Sequence, residues 1–199
     1  MSTTKTITLI RSHGSKINST ITLLSNEFNR ILHDENHPNV TDYFAENMDD
    51  FFSSVQSCRH LIARMTFLAK SKKDVETNFS LLRDELIELL NALYSPTVSF
   101  DENFGRVNNE LESDVEKMKQ AIKLLENVHE NQEPDVVESL SKLKSLVDFF
   151  CEKTADFTLV DNYVSYVVNH FTDINEHLKS IEQLLPTVSF DETTEESID

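Results

Sequence analysis

Apolar residues recur every three or four positions along most of this chain. Ile17, Ile21, Leu24, Phe28 and Ile31 make one series; Phe44, Met48, Phe51, Val55, Cys58, Ile62, Met65 and Ala69 a second; Val75, Phe79, Leu82, Leu86, Leu89 and Leu93 a third. Three more follow: Val107, Leu111, Val115, Met118, Ile122 and Leu125; then Leu140, Leu143, Val147, Phe150 and Phe157; then Val160, Tyr163, Val167, Ile174, Ile181 and Leu184. This spacing puts each series on one face of a helix. Flanking residues such as Leu32, Phe52, Leu61, Leu90, Leu124 and Leu178 widen the stripes beyond two positions in seven, which favours a bundle core over a thin two-stranded seam. The pattern predicts an all-α protein of six helical segments.

Those segments fall into two sets of three. The heptapeptide PTVSFDE of Pro96–Glu102 returns unchanged at Pro186–Glu192. Other anchors keep the same order: TITL at Thr6–Leu9 against TVSF at Thr97–Phe100, each followed by a glycine (Gly14, Gly105), and HDENHPNV at His33–Val40 against HENQEPDV at His129–Val136. Asp-Phe-Phe at 50–52 likewise answers 148–150. The reading is a tandem duplication: two three-helix units, up-and-down and possible to stack into an elongated body, at residues 1–95 and 96–185, with a tail at 186–199 that begins an uncompleted third repeat. Heptad pattern and unit length resemble three-helix repeat modules of the spectrin-like kind, from which the proline-bearing connector departs.

Punctuation sets the expected boundaries. Pro38 and Pro134 separate the first and second helices of each unit, with Asn39 and Asp135 placed as caps. Pro96 is expected to end a helix, making TVSF a short extended connector. Ser99 with Glu102, and Ser189 with Glu192, then read as capping boxes at the next helix start. The joints near Lys70–Asp74 and Lys153–Thr158 lack both Gly and Pro, so the second and third helices of each unit are compatible there with either a separation or one bent or continuous helix.

Composition narrows the function. Two glycines in 199 residues cannot build a phosphate-cradling loop, and no nucleotide-binding, nucleophile-elbow or zinc-protease motif occurs. The net charge of −17 is uneven: residues 1–95 carry 10 basic and 12 acidic groups, residues 96–199 carry 8 and 23. That balance argues against nucleic acid and allows a basic protein partner. Cys58 and Cys151 make no disulfide framework, and there is neither a signal peptide nor a membrane span, so a cytoplasmic protein is expected.

Candidate chemistry is sparse. Glu126 and His129 supply only half of a di-iron pattern, His33 and His37 straddle a helix end, and Cys58 and His60 point in different directions from one helix. No catalytic residue, cofactor or metal is expected. His170 and His177 fall where the last seam would continue, making a candidate pH-sensitive seam, with rim positions as the plainer reading. Ser189, Phe190, Asp191, Glu192 and Thr193 form a candidate tail interaction or phosphorylation segment, set against a copied helix start. The leading expectation is a non-enzymatic protein–protein interaction module, an adaptor, scaffold or spacer. The alternative is a helical carrier holding a lipid or other apolar ligand between helices. Heptad seams serve equally within or between chains, so a homo-oligomer is also compatible.

Overall fold

The computed structural model describes residues 3–128 and 134–190. They form five α-helices and no strand: α1 (Thr3–Leu32), α2 (Pro38–Glu46), α3 (Met48–Met65), α4 (Lys72–Val128) and α5 (Pro134–Leu184), followed by a 3₁₀ turn at Leu185–Thr187. The all-α expectation holds.

The four longer helices, α1, α3, α4 and α5, run alternately up and down. α1 pairs antiparallel with α3, since Gly14 lies against Thr66 and Thr22 accepts from Arg59. It also pairs antiparallel with α5, through Thr6 with Thr187 and His13 with His177. The core is one cluster. It takes Ile17, Leu24 and Phe28 from α1, Phe44 from α2, Phe51 and Ile62 from α3, Leu82 and Leu93 from α4, and Tyr163, Val167 and Ile174 from α5. It therefore spans the expected boundary at 95/96: α1, α3, the first half of α4 and the second half of α5 make a four-helix bundle, with short α2 across one end. There Phe44 meets Phe28 and Tyr163 at ring-centroid distances of 5.0 and 4.9 Å.

Pro96 corrects the expected connector, because it lies inside the 57-residue α4. A proline in a helix removes one N–H and disturbs the ladder a turn back. Here the carbonyl of Leu93 accepts the buried Tyr163 hydroxyl at 2.8 Å, and the Thr97 hydroxyl donates to Tyr94 O at 2.7 Å. Side chains thus supply hydrogen bonds around the interruption. Phe100 then anchors the continuing helix, edge-on to both Tyr43 and Phe157 at 5.9 and 5.0 Å. Ser99 and Glu102 consequently sit mid-helix and cap nothing. The second copy adopts another structure: Pro186 and Thr187 belong to the 3₁₀ turn and Val188 is extended at φ −73°, ψ 129°. One feature is shared, since Thr187 also donates to the carbonyl three residues back, at 2.8 Å.

Two further boundaries differ from expectation, and the two joints left open by the sequence take different forms. Phe44 and Met48 belong to different helices, because the chain breaks at Asn47, whose side-chain amide donates to Tyr43 O. Pro38 and Pro134 each open a helix as first residue, so Asn39 lies inside α2 and His37 precedes it. Near Lys70–Asp74 the chain does break. Ser71 Oγ accepts from Asp74 N and Asp74 Oδ2 accepts from Lys70 N, a reciprocal cap that needs neither Gly nor Pro. At Lys153–Thr158 the 51-residue α5 runs straight through.

At 1.5 Å per residue α4 and α5 are about 85 and 77 Å long, against about 45 Å for α1. α1 spans α5 only from Thr187 to the neighbourhood of Asp156, where His37 sits. The stretches 104–128 and 134–153 therefore project beyond α2 as a helical arm about 35 Å long. Ile122 and Val147 are buried in it, outside the main cluster. Several expected seam positions here, among them Val107, Leu111, Val115, Met118, Leu125, Leu140 and Phe150, have side chains outside the described residues.

Gly14 shows how closely α1 meets α3. A Cβ there would stand 2.9 Å from Thr66 Cγ2 and 3.3 Å from Ile62 Cγ2. Alanine is the better helix former by about 1 kcal/mol, while overpacking costs about 1–3 kcal/mol. Gly14→Ala is expected to destabilise the fold by about 1 kcal/mol net, and Thr66→Ser, which removes the opposing methyl, should recover most of that loss in urea titrations.

Candidate interaction surfaces

The histidines of the last seam lie at its edge. Phe171, Ile174 and Ile181 carry the apolar face, while His170 and His177 are half-buried. His170 packs edge-on against Tyr166 at 4.2 Å. His177 meets His13 of α1, Nδ1 to Nδ1 at 3.0 Å with ring centroids 5.2 Å apart. His13 was not legible as a partner, since 164 residues separate the two and only the α1–α5 register joins them. Such a bond needs one nitrogen as donor and the other as acceptor, so two protonated rings cannot make it.

Burial, then the charge of His177 and then that of Lys16, hold the His13 imidazole below its ordinary value of 6.5. The unfolded chain thus binds the proton more readily. The stabilising contribution is present above pH 6.5 and is lost as pH falls through that value towards the lower folded one. The thermal midpoint should therefore drop between pH 7.5 and 5.5 by more in the native chain than in His13→Gln; equal drops would show that the pair contributes nothing.

A second pair ties the two halves of the sequence together. His37 Nδ1 lies 2.7 Å from Asp156 Oδ1, the aspartate side chain being 4% exposed. Cys58 is buried among core residues, and burial first, then Glu85, pushes its thiol up to about 12, far from a reactive thiolate. A polar groove of about 360 Å³ between α3 and α4 is lined by Asn47, Asp50, Ser53, Glu88, Asn91 and Ser95. Asp50 and Glu88 are the carboxylates among these lining residues, which include neither histidine nor cysteine. Among the described residues, no group of three or more His, Cys, Asp or Glu side chains is placed to hold a metal. No helix among the described residues is long and apolar enough to cross a membrane.

The tail candidates divide. Phe190 packs against the core just after buried Val188, and Ser189 is exposed between them. Asp191, Glu192 and Thr193 lie outside the described residues.

One surface was missed in the sequence. In the loop between α3 and α4, Phe67 and Leu68 are 65% and 61% exposed, the largest values among the exposed hydrophobic side chains. Arg11 places its guanidinium 5.5 Å from the Phe67 ring. Arg64, Lys70, Lys72 and Lys73 flank the same loop and are exposed. Both apolar residues fall outside the helical stripes, and an exposed position in a loop leaves no periodic trace.

No protein-family model matches the chain, and no curated protein matches it. Among solved structures, a computationally designed three-helix bundle is similar at 14% identity, covering 92% of this chain and 90% of that one, with a TM-score of 0.24.

Proposed function

We propose that this protein is a non-enzymatic helical interaction module, an adaptor or spacer that docks protein partners along its arm and bundle faces. The observation that supports this reading is the arm itself. Residues 104–128 and 134–153 continue as two long helices past the end of a bundle that is already closed by α2. A projecting helical pair offers long faces to a partner and adds little to the core. The acidity of residues 96–199 favours a basic partner there, with exposed Glu116, Asp148 and Glu152 on the arm.

The carrier alternative needs room between the helices. Phe28 and Phe51, two residues that would line such a cavity, are both fully buried and stacked at 4.0 Å. Phe79 is 4% exposed and belongs to the same packed cluster. That filling favours the adaptor.

Affinity capture from native extract tests the choice, with the full chain and with Glu116→Lys, Asp148→Lys and Glu152→Lys combined as baits. The expected result is a stoichiometric protein partner that the charge-reversed chain loses. An apolar ligand bound stoichiometrically, with no protein, would overturn the reading in favour of the carrier.

A further inference from the structure

The end of the bundle opposite the arm combines two features that one partner must satisfy together. Phe67 and Leu68 stand out from the turn where α3 gives way to α4; exposed Arg64, Lys70, Lys72 and Lys73 flank them in sequence, and the Arg11 guanidinium lies 5.5 Å from the Phe67 ring. These cations are concentrated in a chain of net charge −17. Among the described residues, Arg11, Arg64, Lys70 and Lys73 make no ion pair, whereas Arg30 and Lys142 elsewhere pair with neighbouring glutamates. Of the carboxylates next to this loop in sequence, Asp74 is engaged in capping α4, and Glu76 lies 3.8 Å from Lys72.

We propose that this end docks on an anionic lipid surface, with Phe67 and Leu68 entering the interface and the five cations meeting the headgroups. An acidic peptide would answer the cations alone and leave a protruding apolar tip in water. An anionic headgroup layer with acyl chains beneath it answers both, and a convex tip needs no groove in its partner. Neither signal suffices by itself: two side chains give shallow insertion, and a few lysines give a salt-sensitive attraction. Together they make a reversible anchor that leaves the arm directed away from the membrane. The sequence also carries acids among residues 191–199, so the unaltered chain sets the demanding test.

The chain has no tryptophan, so Phe67→Trp places a single indole at the tip. Its emission should shift to the blue on adding vesicles of phosphatidylcholine with 30% phosphatidylserine in low salt, and stay unchanged with phosphatidylcholine alone. Changing Lys70, Lys72 and Lys73 to Gln in that background should weaken binding about a hundredfold, with circular dichroism showing the fold retained. Cosedimentation of the native chain with the same vesicles guards against an effect of the new indole. The proposal is overturned if the native chain stays in the supernatant, if neutral vesicles bind equally well, or if soluble oligoglutamate gives the same blue shift and so assigns the end to an acidic protein. The arm substitutions Glu116→Lys, Asp148→Lys and Glu152→Lys should not lower vesicle affinity, which separates a failure here from a failure of the protein-partner reading.

Discussion

Phe28→Ala should lower the unfolding free energy by about 3–5 kcal/mol. The ring is fully buried, stacked on Phe51 of α3 at 4.0 Å and tilted against Phe44 of α2 at 5.0 Å. Phe44 in turn meets Tyr163 of α5, so truncating one ring leaves a cavity where four helices converge. Those neighbours are themselves held by helix packing and cannot collapse freely into the space. Urea titration followed by far-ultraviolet circular dichroism reads the loss as a fall in the transition midpoint. A loss under 1 kcal/mol would mean that the ring cluster is not packed as described.

His37→Ala should cost about 2–3 kcal/mol. The substitution removes the hydrogen-bond partner of a carboxylate whose side chain is 4% exposed and which lies in the middle of α5. A charged acceptor left buried without its partner loses more than the bond itself contributes. Asp156→Asn in the same chain removes the charge and should recover a substantial part of the loss. Non-additivity of more than 1 kcal/mol in the double-mutant cycle would establish the pair; strict additivity would show that His37 and Asp156 act separately.

The seams were legible because burial in a helix leaves a period. Ile17, Ile21, Leu24, Phe28 and Ile31 are buried as their spacing implies, and so are Val75 to Leu93 and Val160, Tyr163, Val167, Ile174 and Ile181. What the period does not carry is the identity of the facing helix, and for that reason two sets of three helices and one shared bundle with an arm fit the same stripes. The repeated PTVSF makes the same point locally. Identical residues continue a helix at Pro96, where Tyr163 and Phe157 support them, and leave it at Pro186. Tertiary contacts decided between the two. The break before α4 was legible in principle, since Ser71 and Asp74 have capping-box spacing, while the same signature at Ser99 and Glu102 marks no helix start. The His13–His177 pair and the Phe67–Leu68 tip leave no local signature, one because it depends on helix register and the other because it depends on exposure.

The central structural claim is a single core built from both halves of the sequence, and native-state hydrogen exchange tests it most directly when the native chain is compared with Phe28→Ala. Residues 157–184 of α5 should lose protection together with α1 and α3, by the same free energy, although Phe28 lies more than a hundred residues away in sequence. Protection of that α5 segment unchanged by Phe28→Ala would mean that the second half folds on its own, and would contradict the shared four-helix core.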